Sequence, residues 1–551
     1  MNNMNNMNNK VHNNLLKNIA RRFKKYSYNF IYFTISAPII SLIFSQESRI
    51  SAQSKYKKYK KLLKDQRIGK SEGRKPKPED IALIRASDLF DEEMYLENNP
   101  DVAQAKMDPV FHYLKHGGTE RDVLPHFDSK WYLDTYPDVK SKGMNPLVHY
   151  LKYGRDSGYQ PKLPTFELRK MYDYAKETNS IIFEDVPERV FLRRPDVTGS
   201  FSGELKEGHT YCPPAYVSVL ENATIFGGSS LVVSKEEIVL SDEMVDFNSK
   251  EIGTKPPFVE RHFENKVKLK YGKYYSSSLI KEGILLSCDH DYNYFHWLVE
   301  CLPKLILIDK LGQFKDLPLL IPQVLHANLY AALNLVNIHN RKLIYLEPKT
   351  AYRVEQLIFP SALSRILDRY EGSPIFDVDI VLSHKWISEA GKILKKDVHT
   401  KQKPWRKLFL TRTKGLRLLG NLEELERMLL EQNFEIVVTD SLSFSSQAVL
   451  FSQAAMIVAP TGAALTNMLF CPPGTKSIVL MSNHEVTNFY FWQELGDISN
   501  LDITIIAGKR LFKHTTYRTG VHDDFVIDVD LLREEITKNV PKGASVEQVF
   551  P

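Results

Sequence analysis

The sequence predicts an α/β protein whose C-terminal part is a parallel, doubly wound sheet, with an all-α tandem-repeat module ahead of it. Three observations carry this. Strand-like and helix-like segments alternate in order from residue 407 onward. A block between residues 90 and 154 repeats itself at an offset of 37. An apolar run, 456–460, ends in Thr461, Gly462, Ala463 and Ala464 ahead of a helix expected to start near Leu465.

The 551 residues exceed what one core commonly spans, so two to four domains are expected. The net charge of +6 is too small to imply a nucleic-acid partner. Cys212, Cys288, Cys301 and Cys471 are widely scattered with no C-x-x-C. That argues against a disulfide framework or a structural zinc site and fits a reducing compartment.

Residues 1–80 read as a leader. The Asn-rich start should be disordered, and Arg21, Arg22, Lys24 and Lys25 precede a Phe/Ile/Tyr-rich segment, 26–44. Asn29, Thr34, Ser36, Pro38 and Ser41 interrupt that segment, and a second basic run follows at 55–64. A segment lying on an anionic membrane surface is the preferred reading; a true anchor and a poorly ordered basic leader are the alternatives. Residues 65–80 form a charged linker.

Residues 81–165 hold the repeat. Phe90-Asp91, Tyr95-Leu96, Pro100-Asp101-Val102, Pro109, His112-Tyr113-Leu114 and Gly117 recur at Phe127-Asp128, Tyr132-Leu133, Pro137-Asp138-Val139, Pro146, His149-Tyr150-Leu151 and Gly154. Each unit predicts helix, turn, helix, with Pro109 or Pro146 opening the second helix and Gly117 or Gly154 closing it. His112 and His149 read as buried structural residues.

Residues 166–280 predict mixed strands. A strand at 283–287 then leads into Cys288-Asp289-His290-Asp291-Tyr292-Asn293-Tyr294-Phe295-His296-Trp297-Leu298-Val299-Glu300. At helical spacing Asn293, His296 and Glu300 share one face. The His–Glu pair is either a solvated ion pair or chemistry placed at a strand end, where α/β folds carry it. Strands at 317–321, 343–346 and 356–359 and helices near 326–337 and 377–395 follow, then a hinge at 401–404. The last series is strand 407–411, a helix capped by Asn421 with Glu424 as its capping box, strand 435–439, helix 443–454, strand 456–460, the small-residue turn, strand 476–481 and helix 487–495.

The turn after 456–460 serves either close helix–sheet packing or a phosphate seat at a helix N-terminus. Arg412 and Arg417, in the loop after the first strand of this series, are either solvated or face that turn.

The stretches YNYFHWLVECLPKL, FLTRTKGLRLLGNLEEL and FSSQAVLFSQAAMIVAPTGAALTNMLFCPPGT resemble the catalytic domain of glycosyltransferase family 61 over roughly residues 200–510. The resemblance implies two Rossmann-like lobes of the GT-B type, an acceptor-side lobe at 166–403 and a nucleotide-sugar lobe at 404–551 ending in a C-terminal helix. It implies inverting transfer of a sugar from a nucleotide-diphosphate donor to a hydroxyl of a growing surface glycan, capsule or lipopolysaccharide. The repeat resembles short FD…YL…PDV…HYL modules found beside glycan-related domains in bacterial proteins. A place in the bacterial cytoplasm, on the inner face of the inner membrane, is the matching expectation. Expected partners are the donor, the glycan acceptor, and the anionic membrane surface or other glycan-assembly proteins.

Glu300 and His296, with Asp291 in the same strand-end stretch, are the catalytic candidates. Arg412, Arg417, Thr461, Gly462, Ala463 and Ala464 are expected on the donor diphosphate, and Asn293 and Asn467 elsewhere in the cleft. No cofactor is expected to be obligatory. The alternative is Mn or Mg held by Asp289 and Asp291, an Asp-x-Asp after a strand. Two positions differ from the family's usual residues: Thr461 where His is common, and Val479 where many relatives carry Glu. An inactive nucleotide- or carbohydrate-binding scaffold and a phosphosugar transferase are therefore the competing functions.

Overall fold

A computed structural model describes residues 76–538 except 118–123, 125, 164, 247–258, 264, 270–274, 349, 368–375, 377, 399–402, 413, 486 and 512–521. The leader and segment 26–44 lie outside the described residues. No helix among the described residues is long and apolar enough to cross a membrane. The chain divides into two compact units, one drawn from Met1–Ala86 and Tyr95–Arg121, the other from Ser87–Met94 and Asp122–Pro551.

Every named secondary-structure element between residues 81 and 154 is a helix, and the expected turn at each Pro-Asp-Val is itself a short helix, Pro100–Gln104 and Pro137–Lys142. Proline at the first helical position explains this, since its missing N–H is not needed there. Pro109–His112 and Pro146–His149 each run on into a π-helical turn ending at Gly117 or Gly154. His112 and His149 are buried, and their Nδ1 atoms bond the hydroxyls of Tyr95 (3.0 Å) and Tyr132 (2.9 Å).

The second unit contains two large sheets. The first has eleven strands and is mixed. Its parallel part holds four: Leu343–Leu346, Leu319–Pro322, Tyr275–Leu285 and Ala351–Pro360. Tyr216–Phe226 then joins antiparallel and starts a largely antiparallel extension. This part of the chain is thus doubly wound over four strands only.

The other large sheet has seven strands. Its parallel strands lie in the order Glu435–Val437, Arg406–Leu410, Ala454–Pro460, Lys476–Ser482, Asp502–Arg510. By chain order that is second, first, third, fourth, fifth. The winding direction therefore reverses between Arg406–Leu410 and Ala454–Pro460, and a crevice opens at their carboxyl ends. Covered on both faces, the central strands read as unbroken apolar runs: six of seven residues of Ala454–Pro460 are buried. Val197–Gly199, from much earlier in the chain, pairs parallel with Asp502–Arg510. One apolar core runs from Ile284 and Leu305 under the first sheet to Ile457 and Val479 in the second.

Two local expectations are corrected. Asn421 makes no capping bond to its helix, Leu422–Glu431; its side chain instead holds the backbone of Ile527, donating to its carbonyl (2.8 Å) and accepting from its N–H (3.2 Å). The helix after the small-residue turn is a 3₁₀ helix, Ala463–Phe470, and begins two residues earlier than expected. All four cysteines are free and buried.

Candidate active site

Tyr275–Leu285 delivers the chain to the carboxyl edge of the first sheet. Asn293 then caps the next helix, its side chain accepting from the Phe295 N–H (2.9 Å). One α-turn, Tyr294–His296, gives way to a π-helical turn, Trp297–Cys301, before α-helix resumes at Leu302–Leu311. Four residues apart on this segment, His296 and Glu300 are adjacent, and His296 Nδ1 is hydrogen-bonded to Glu300 Oε2. Single π-turns inside α-helices recur where a helix carries function. Burial pushes the Glu300 carboxyl up, but His296 and Lys304 outweigh it and the net shift is downward, so Glu300 is an anion.

At the second sheet's crevice, Thr461, Gly462 and Ala463 form the turn. Gly462 has φ 168° and ψ 165°, extended backbone that any residue adopts. What glycine supplies is space, because a Cβ there would stand 2.7 Å from Arg412 Nη1. Arg412 therefore does reach this turn, but its role differs from the one expected. Its Nη2 donates to the carbonyl oxygens of Thr461 (2.8 Å) and Arg417 (3.1 Å), and it does not line the cavity described below. Burial, then the charge of Arg417, pushes its pKa down to about 10. It is a buried brace across the switch point. Arg417 is the loop cation that reaches the cavity. It sits in the left-handed region (φ 59°), a sparsely populated conformation held by the Arg412 bond to its carbonyl and by its own N–H to His522 O (3.1 Å).

The two sheets meet through these elements. Tyr294 donates its hydroxyl to Asn467 Oδ1 (2.8 Å). Phe295 packs on Phe491 and Trp492, with ring centroids 4.4 and 5.8 Å away. Trp492 Nε1 in turn donates to Thr461 Oγ1 (2.8 Å), which leaves the Thr461 hydroxyl hydrogen to be donated elsewhere.

Between them lies a cavity of about 370 Å³, lined by His290, Asn293 and His296 from the elements after the first sheet's strand and by Arg417, Thr461, Gly462 and Ala463 from the second sheet's crevice. An inner cavity of about 70 Å³ shares His290 and His296 with it and adds Glu243, Asp289, Glu300 and Lys304.

Other expected residues lie elsewhere. Asn467 is fully buried, donating to Gln447 Oε1 (2.7 Å), and is an inter-sheet contact; the 3₁₀ winding turns it inward. Ala464 follows the turn but lines neither cavity. Asp291 also lines neither; it is buried, accepts from the Ser287 hydroxyl, and burial pushes its pKa up to about 6. Asp289 lines the inner cavity, with Oδ1 held by the Ser229 hydroxyl (2.8 Å) and the Ser230 N–H (3.4 Å). The two aspartates are thus committed to different serines. Among the described residues, no group of three or more His, Cys, Asp or Glu is placed to hold a metal ion. Val479 is a core residue, paired in register with Ala459 and Ile505.

Sequence reasoning missed Glu243, His290, Trp492 and His522. They come from scattered loops and short helices, and only His290 lies inside a stretch that the strand-end pattern singles out.

Residues 294–478 match the family model described as Glycosyltransferase 61. The match opens at the capped helix and closes in the strand Lys476–Ser482, so it contains His296, Glu300, Arg412, Arg417 and the Thr461–Ala463 turn. No curated protein matches the chain.

Proposed function

We propose that this glycosyltransferase, whose residues 294–478 match the family 61 model, is an inverting enzyme of the two-lobed GT-B type that moves a sugar from a nucleotide-diphosphate donor to a glycan hydroxyl. One observation carries this reading. A single cavity is lined both by His296 and by a switch-point turn with an arginine. A donor laid across it puts its diphosphate on the turn and its anomeric carbon toward His296.

In this scheme His296 takes the proton of the acceptor hydroxyl as that oxygen attacks the anomeric carbon. Glu300 stabilises the imidazolium that forms. The bond to the diphosphate breaks on the opposite face, and its negative charge grows against the Gly462 and Ala463 backbone N–H groups, the Thr461 hydroxyl and Arg417; the Thr461 N–H is already bonded to the Leu480 carbonyl. These donors stabilise the leaving group without a metal ion in this scheme, so transfer should survive EDTA.

A growing bacterial capsule or lipopolysaccharide is the acceptor we favour. The basic leader and the helical repeat support work at the inner face of the inner membrane, beside other assembly proteins. The competing scaffold function is supported by Thr461, whose side chain is tied to Trp492. Calorimetry with a panel of nucleotide sugars, followed by nucleotide release, separates the two, because a scaffold binds without turnover.

Arg417→Ala tests the donor end. Loss of a charge-assisted contact worth about 1.5–3 kcal/mol should weaken binding of the nucleoside diphosphate by about tenfold or more. Unchanged affinity by calorimetry would remove Arg417 from the site.

A further inference from the structure

Three carboxyls line the inner cavity, and two have partners within the protein. Glu300 is bonded to His296, and Asp289 to Ser229 and Ser230. Glu243 lines the same walls and has no hydrogen-bond partner among the described residues. It sits on the short helix Asp242–Asp246, outside the family match. Its neighbour Asp242 anchors that helix, accepting from the Tyr172 N–H (2.9 Å) and the Tyr216 hydroxyl (2.8 Å). A side chain so placed, facing space beside the reacting pair, is available to a substrate. The volume equals a few water molecules, enough for the hydroxyl-bearing edge of one sugar.

Resting on the transferase reading above, we propose that Glu243 is a specificity-determining residue, presenting a carboxylic acid O–H to an acceptor-sugar hydroxyl oxygen beside the one that His296 deprotonates. The acceptor edge is then a pair of neighbouring hydroxyls, one donating to His296 and the other accepting from Glu243.

The surroundings supply the proton. Burial first, then the charges of Glu300 and Asp289, pushes the Glu243 carboxyl up to about 8. Lys304 opposes them and Asp242 adds to them. The Lys304 ammonium is drawn away to the Ser287 carbonyl (3.1 Å), and Cys288, His290 and His296 complete the titratable walls. An acid with a raised pKa keeps its proton below that value and loses it as pH rises through it. The donor is therefore present at pH 7 and lost above about 8.

Two measurements on the full chain test this. In the infrared difference spectrum of wild type minus Glu243→Gln, a protonated-carboxyl C=O band is expected at pH 7 and should vanish by pH 9. Its absence at pH 7 overturns the proposal. In transfer assays with a panel of nucleotide sugars and monosaccharide glycosides, wild-type kcat/KM should fall about tenfold per pH unit above 8. Glu243→Gln, which keeps an N–H donor but cannot ionise, should lose that alkaline limb. Glu243→Ala should raise the acceptor KM by tenfold or more, with a smaller change in kcat. A Glu243→Ala acceptor KM equal to wild type also overturns the proposal. If wild type releases no nucleotide from any donor, the transferase mechanism fails, and the infrared band still decides whether Glu243 carries a donor proton.

Discussion

Glu300→Gln is expected to slow sugar transfer by about 10²–10⁴-fold while leaving the protein folded. The anion is held next to His296 by their hydrogen bond, and its charge matters most when the imidazole becomes a cation. A neutral amide of the same shape fills the space but offers the imidazolium no opposite charge. It also competes for tautomer, since its N–H₂ can donate to Nδ1 and reverse which ring nitrogen carries hydrogen. Single-turnover nucleotide release, with donor and acceptor saturating, isolates the chemical step. A Glu300→Gln enzyme working at more than about a third of the wild-type rate, with an unchanged melting temperature, would take the pair out of the mechanism.

The second large effect is expected at Arg412. Replacing it by leucine removes both bonds across the switch point and leaves the Thr461 and Arg417 carbonyls without the donor they have now. A buried polar group left unsatisfied costs about 1–3 kcal/mol, so a total loss of about 2–4 kcal/mol is expected from denaturant unfolding. Nucleoside diphosphate affinity should fall with it, because the brace also holds Arg417 in its left-handed conformation. Arg412→Lys should fall between, as an ammonium lacks the planar fork. If the leucine variant keeps both its stability and its nucleotide affinity, the brace is ornamental.

How much of this could be read beforehand follows from which forces are local. The second sheet was legible because strands covered on both faces must be apolar, and because small residues after Pro460 announce a tight turn. The nearness of Arg412 to Gly462 was legible too, since a reversal of winding brings the first and third strand ends together. The orientation of the guanidinium was not. Whether it faces a ligand or a carbonyl depends on backbone oxygens that residue types do not reveal. Asn467 failed for a related reason, as a 3₁₀ helix rotates each residue further than the α-helix assumed. The π-turn equally escapes a spacing argument that allots one constant angle to every residue. Glu243, Trp492 and His522 reach the cavities from positions far apart in the chain, with no periodicity to flag them. Asn421 shows that a capping-box pattern yields when a neighbouring stretch of backbone, at Ile527, offers better partners.

The pairing of Val197–Gly199 with Asp502–Arg510 bears on how this enzyme could be cut in two. A gene severed just ahead of Arg406–Leu410 would yield a C-terminal fragment with one flank of its fifth strand stripped of a native neighbour. Such a fragment should self-associate through that exposed backbone when made alone. Co-production with the missing piece would cure it only if the donated tripeptide were included, which makes those three residues the natural handle for a split-protein reporter.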